Sequence, residues 1–186
     1  MLAALEGLIA ESMTHDQAWR FLDIGRRLER ASHVAGLLRS SLASSSPREG
    51  PVLEALLDIA ASATTYRRRY LATLQACPVV DLLLCDETNP RSVLFQLEAL
   101  SAHMAHLPRT ANTPRTPHQK LVLSVLTELR LADVADLCNV NTGTVEKRDE
   151  RERRPLVALL DRVRAQLPAL SNSLSAAYFN HAVFTA

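Results

Sequence analysis

FLDIGRRLERA, residues 21–31, repeats apolar side chains at the three- and four-residue spacing of a helix with one buried face. At about 100° per residue, Phe21, Ile24, Gly25, Leu28, Ala31, Ser32, Ala35 and Leu38 fill one broad arc, and Glu29 falls beside Leu22 within it. Arg26 and Arg30 point outward. The stretch TTYRRRYLA, residues 64–72, extends a second arc made by Val52, Leu53, Leu56, Leu57, Ile59, Ala60, Ala63, Tyr66, Tyr70, Leu71 and Leu74, with Arg67 projecting from its middle. A charge left buried and unpaired costs several kcal/mol. The simplest arrangement therefore has Glu29 and Arg67 meeting across an interface between two long helices.

A chain of 186 residues with 47% hydrophobic and 22% charged residues has the length and composition of one globular domain, residues 1–186. Only 4% of residues are aromatic and few runs are rich in Val, Ile or Tyr, so a sheet is disfavoured. The expected fold is all-α: a single bundle of about six to eight helices with a long central antiparallel pair. Twenty-one basic residues against 20 acidic ones leave a net charge of +1, which supplies no global field for nucleic acid or anionic lipid. Cys77, Cys85 and Cys138 lack CxxC spacing and lie in or beside apolar segments, a pattern that predicts buried free thiols in a reducing cytoplasm. No apolar run approaches the roughly 18 residues of a membrane span, so the expected location is the cytosol.

Cap signals divide the chain. A short helix is expected over Leu2 to Glu11, and Thr14 with Gln17 resembles a capping box that starts a long helix reaching about Leu42. Asp16 with Arg20 and Asp23 with Arg27 are acid-before-base pairs at i,i+4, as on a solvated helical face. Ser44 to Gly50 read as a polar loop, and Pro51 suits the first turn of a second long helix ending near Ala76. Val79 to Cys85 read as helix, and Asn89 with Pro90 as the cap and first turn of a helix to about Leu107. After a proline-rich loop at 108–117, Thr116, Pro117 and Gln119 predict a capped helix to about Arg130, and a short helix follows over Ala132 to Cys138. The alternating charges from Glu146 to Arg154 read as a solvated segment. A last helix, kinked or split by Pro168, is expected over Pro155 to His181.

The strings SMTHDQAWRFLDIGRRLERA, TYRRRYL, PVVDLLLCDETNPRSVLFQLEAL and LPALSNSLSAAYFNHA together resemble the alpha-E family, bacterial helical proteins named for an ER dipeptide. The resemblance covers nearly the whole chain. It implies an association with circularly permuted ATP-grasp ligases and transglutaminase-like proteins, and hence a role in making or modifying peptides. By the same resemblance Glu29 and Arg30 occupy the ER dipeptide, and the chain corresponds to the C-terminal portion of a domain that lacks here an N-terminal helical segment. Trp19 and Leu37, on the otherwise polar side of the first long helix, fit a contact to such a segment, to a partner or to a second copy of the chain.

Glu29 with Arg67 reads either as a structural pair that fixes helix register or, with Tyr66 and Tyr70, as a pocket orienting a substrate carboxylate or phosphate. Arg67, Arg68 and Arg69 fan around their helix, and Arg68, at the edge of the arc, is best placed to reach a ligand. Asp86, Glu87, Asn89 and Arg91 crowd one loop, where amides suit an anion, although capping alone accounts for Asn89. Arg30, Arg68, Asp86, Asn89 and Arg91 are therefore the candidate anion or ligand contacts. His103 and His106 have no HExxH or ExxH around them, and no nucleotide-binding glycine motif appears, so no metal and no cofactor is expected. Two classes remain. The favoured one is an interaction module, without catalysis of its own, that docks on an ATP-grasp ligase or transglutaminase-like protein; the other is an enzyme or ligand-binding bundle built on the Glu-Arg-Tyr pocket.

Overall fold

The structure, a computed structural model, describes residues 11–46, 48–70, 73–108, 114–140 and 151–179. The helices are α1 (Gln17–Leu42), α2 (Gly50–Ile59), α3 (Ala63–Tyr70), α4 (Ala76–Val80), α5 (Val93–Ala105), α6 (Pro117–Arg130), α7 (Val134–Cys138) and α8 (Arg154–Tyr178). α4 runs directly into a π turn over Asp81–Cys85, closed by the Asp86 amide donating to the Asp81 carbonyl at 2.9 Å. The one sheet among the described residues is a two-residue antiparallel pairing of β1 (Ser44–Ser45) with β2 (Arg151–Glu152). The expected all-α bundle is thus the observed fold.

Long-range side-chain contacts give the topology. Gln17 reaches the carbonyl of His106, Asp23 meets His103 and Arg27 meets Gln96, so α1 and α5 run antiparallel. Gln119 donates to the Met104 carbonyl while Arg130 pairs with Glu98, which sets α6 antiparallel to α5. His118 lies against Tyr178 and Glu128 against Arg162, so α8 is antiparallel to α6. The ring closes where Phe21 touches Tyr178 and Arg39 grips Asp161 through two hydrogen bonds of 2.8 and 3.2 Å. The four helices form an up-and-down bundle, filled by Leu38, Leu97, Leu100, Val125, Leu160, Val163 and Leu170. α2, α3, α4 and α7 pack at one end of it.

The long antiparallel pair is therefore α1 with α8. The second long helix expected from Pro51 to Ala76 is broken. α2 ends at Ile59, and the Ala61 and Ser62 amides turn back to the carbonyls of Asp58 and Leu57 at 2.9 and 2.7 Å, the paired bonds of a Schellman stop. That stop places Ala61 at φ 49°, a left-handed backbone that glycine adopts freely and that costs alanine about 1–2 kcal/mol. The break resets the helical phase, so positions 52–70 do not share one face, and Leu71 of the expected arc lies outside the described residues. Ala61→Gly is expected to raise stability by about 0.5–1 kcal/mol in denaturant unfolding, the relief of the left-handed alanine less the larger chain entropy of glycine. A loss of stability would contradict that geometry.

Other boundaries shift as well. Asp16, not Thr14, caps α1, accepting from the Trp19 amide at 3.1 Å. Ser92, not Asn89, caps α5, accepting from the Phe95 amide at 3.0 Å. The Thr116–Gln119 capping box is formed as expected. α8 continues through Pro168 without splitting, held by buried Leu167, Leu170 and Leu174. The helix expected over Leu2 to Glu11 falls outside the described residues except for its last position, as do residues 141–145, residues 146–150 of the charge run, and 180–186.

Candidate functional site

The ion pair expected between Glu29 and Arg67 is not formed. Glu29 is exposed, and so is Arg67, whose nearest carboxylate is Glu54 at 3.8 Å. The buried face of α1 runs through Ile24, Leu28, Ala31, Val34, Ala35, Leu38 and Leu42. Glu29 is five residues from Ile24, about 140° around the helix, and its neighbour Leu22 is itself 41% exposed. For Arg67, the break at Ala61 turns α3 so that Tyr66 is its buried residue. Arg68 and Arg69 are exposed as well, and it is Arg69 whose guanidinium reaches the buried Asp86 carboxylate. Tyr66 and Tyr70 do come together, with ring centroids 5.0 Å apart. The Tyr66 hydroxyl is occupied by the Thr73 carbonyl and the Gln75 amide, at 3.3 and 3.2 Å. The cavity beside it, lined by Glu54, Leu57, Ala63, Tyr66, Arg67 and Leu74, is about 100 Å³, room for about three waters.

Three charged clusters lie elsewhere, and two of them are closed around a buried carboxylate. On α1, Asp23 accepts from Arg27 Nε at 2.6 Å and contacts His103 Nε2 at 2.7 Å. Arg27 also donates to Gln96 Oε1 at 3.3 Å, and Gln96 donates to the Pro90 carbonyl. Trp19, half-buried, sets its edge on His103 at 5.3 Å and stacks on His15 at 3.9 Å. It thus joins this cluster, while Leu37 packs at the rim of the core. The pair Asp23 and Arg27, which the i,i+4 spacing places on a solvated face, is instead the seam between α1 and α5.

The second cluster is the DETNPRS loop. Asp86 Oδ1 accepts from the Thr88 amide, the Thr88 hydroxyl and the Asn89 amide, at 2.7, 2.8 and 3.3 Å. Its other oxygen pairs with Arg69. Buried Asn89 donates to the Leu82 carbonyl at 2.8 Å and accepts from the Arg91 amide at 3.1 Å, so its side chain ties the π turn to the loop. The Ser92 hydroxyl donates to the Asp86 carbonyl. The Arg91 side chain is exposed. Nearby, Tyr70 donates to Asp81 at 2.7 Å, and burial together with the Asp81 carboxylate pushes its hydroxyl up to about 12. Cys77 is exposed, contrary to the expectation of three buried thiols, whereas Cys85 is half-buried and Cys138 buried. Burial and the Asp81 carboxylate push the Cys85 thiol up to about 12, far from a reactive thiolate.

The third cluster centres on Arg153, 3% exposed. Its guanidinium meets Glu49 at 2.8 and 2.9 Å and donates to the Leu42 carbonyl at 3.2 Å, so the buried arginine of this fold belongs to the charge run.

Burial pushes the carboxyls of Asp23 and Asp86 up. Arg27 and His103 outweigh this at Asp23, and Thr88 with Arg69 outweigh it at Asp86, holding both below the ordinary 3.8. A carboxyl depressed by folding supplies stability that is present above its unfolded value and lost as pH falls through its folded one. Unfolding free energy is therefore expected to fall steeply below about pH 4. Asp23→Asn combined with Asp86→Asn should flatten that limb, and an unchanged acid profile in the double variant would contradict the assignment.

One large concavity remains open. A groove of about 900 Å³ runs between α6 and α8, lined by Arg115, Lys120, Leu123, Glu128, Arg162 and Gln166 among others. Nothing in the sequence marked it, because its residues come from two faces that look solvated on their own. A family model described as a predicted alpha-helical domain with a conserved ER motif matches residues 1–179. The chain belongs to the Alpha-E family. An uncharacterized protein of Mycobacterium bovis (strain ATCC BAA-935 / AF2122/97) is 37% identical over 105 residues, which is 55% of this chain and 12% of that protein. Uncharacterized proteins of two Mycobacterium tuberculosis strains, H37Rv and CDC 1551, match to the same extent. The matched stretch thus covers 12% of the length of these curated relatives. No solved structure matches the chain.

In this Alpha-E chain the ER dipeptide assigned by resemblance, Glu29 with Arg30, lies mid-way along α1, with Glu29 exposed and Arg30 half-buried. No helix of the described residues is long and apolar enough to cross a membrane. Among the described residues, no three His, Cys, Asp or Glu side chains are placed to hold a metal ion.

Proposed function

We propose that this Alpha-E chain is a helical docking domain that acts in the cytoplasm with an ATP-grasp ligase or transglutaminase-like protein of peptide synthesis or modification. The observation that carries the reading is the open groove between α6 and α8, set beside two buried carboxylates and a buried guanidinium that hold neighbouring helices together. A buried group engaged by internal partners serves architecture better than turnover. The much greater length of the curated relatives agrees with a domain that works beside other parts. The family resemblance supplies the class of partner.

Co-expression of the chain with an ATP-grasp ligase or transglutaminase-like protein encoded beside it, followed by size-exclusion chromatography, tests this. Co-elution at fixed stoichiometry is expected with at least one of them. Separate elution of all candidates, with the chain folded, overturns the reading.

A further inference from the structure

We propose that the α6–α8 groove binds an acidic segment of a protein partner, one that presents an apolar side chain flanked by carboxylates. This rests on the docking reading above and names the chemistry of what docks. Leu123, on the outward face of α6, is 40% exposed and supplies an apolar contact within the groove. Around it stand three cations. Arg162 is paired with Glu128, whereas Arg115 and Lys120 have no ion-pair partner among the described residues. Two cations without a carboxylate partner among the described residues therefore sit in one groove of a chain whose net charge is only +1, a local field that favours carboxylates.

A further group points to peptide. Gln166 Oε1 is buried with no hydrogen-bond donor reaching it, and Gln166 lines the groove. A buried amide oxygen left without a donor costs about 1–3 kcal/mol, and a backbone N–H of an extended segment is a donor of the right kind. At about 900 Å³ the space lies near the upper end of ligand sites. The exposed Leu123 side chain within the groove suits an apolar side chain and disfavours a phosphate backbone, which would lose hydration against it.

The probe is a fluorescein-labelled peptide of glutamates around a single leucine, read by anisotropy against the full chain. The comparison probes are the same peptide with lysines in place of glutamates, and a single-stranded oligonucleotide. The acidic peptide is expected to bind best, with weakening at higher salt and amide NMR shifts confined to α6 and α8. Arg115→Glu with Lys120→Glu should weaken it on the order of tenfold or more. Both side chains are exposed, so circular dichroism and the thermal midpoint should stay unchanged. Equal binding of the lysine peptide, tighter binding of the oligonucleotide, shifts on other helices, or full affinity in the double variant would each overturn the proposal. Co-elution of that double variant with the partner enzyme would leave the docking reading standing and remove the groove from it. Loss of co-elution in the parent chain would remove the docking reading while the anisotropy still judges the groove.

Discussion

Arg153→Ala is expected to lower the stability of the protein by about 3–5 kcal/mol, the typical cost of removing one partner from a buried ion pair. The guanidinium is almost wholly enclosed, and the side chain of its partner Glu49 is only 17% exposed, so the alanine variant strands a carboxylate in a poor solvent. It also removes the donor to the Leu42 carbonyl at the end of α1, beside the β1–β2 pairing that leads into α8. Arg153→Met with Glu49→Leu should recover most of the loss, because apolar residues of similar volume replace a buried pair at little cost. Denaturant unfolding of the three chains checks this. A single alanine variant within about 0.5 kcal/mol of the parent, the range of ordinary surface substitutions, would contradict the enclosure of the pair.

The second large effect is expected at Asp86. Asp86→Ala removes three hydrogen bonds and one ion pair at the loop that links the π turn to α5. Arg69 is 41% exposed and regains water when released, so most of the loss comes from the amide of buried Asn89 and from the loosened Thr88. A loss of about 2–4 kcal/mol follows, with the share of the ion pair discounted for solvent screening. Arg69→Met should cost far less, on the order of 0.5–1 kcal/mol. Near-equal losses in the two variants would show that the ion pair, rather than the carboxylate holding the loop backbone, dominates.

The fold was legible where local chemistry is complete within a few residues. The all-α reading, the extent of α1 and the Thr116–Gln119 capping box all rest on spacing and capping. The broken second helix was not legible, because its stop uses Ala61 in a backbone shape that a sequence normally signals with glycine. Glu29 was misplaced because Leu22 was counted as core, although it is 41% exposed. That widened the arc of α1 toward Glu29 and away from Asp23 and Val34, which close its other edge. The buried arginine paired with a glutamate is expected at the wrong residues. The expectation falls on Arg67, whereas a run of alternating charge hides Arg153, whose partner Glu49 lies 104 residues away.

At the candidate site the sequence named Asp86, Asn89 and Arg91 as ligand contacts. The structure gives the first two to the internal bonds of one loop and leaves the Arg91 side chain exposed. Trp19, a candidate interface residue in the sequence, is half-buried and has the rings of His15 and His103 as neighbours. Of these pairings, Trp19 with His103 and Asp86 with Arg69 join separate elements, and no local pattern encodes those two.

The central claim is that the buried charged groups join helices rather than perform chemistry. Its most direct test is a double-mutant cycle on stability between Asp23→Asn and His103→Phe, the pair that meets at 2.7 Å between α1 and α5. The predicted result is a clear loss for each single variant and a coupling energy of about 1–3 kcal/mol. Additive effects, or an Asp23→Asn chain as stable as the parent, would contradict it.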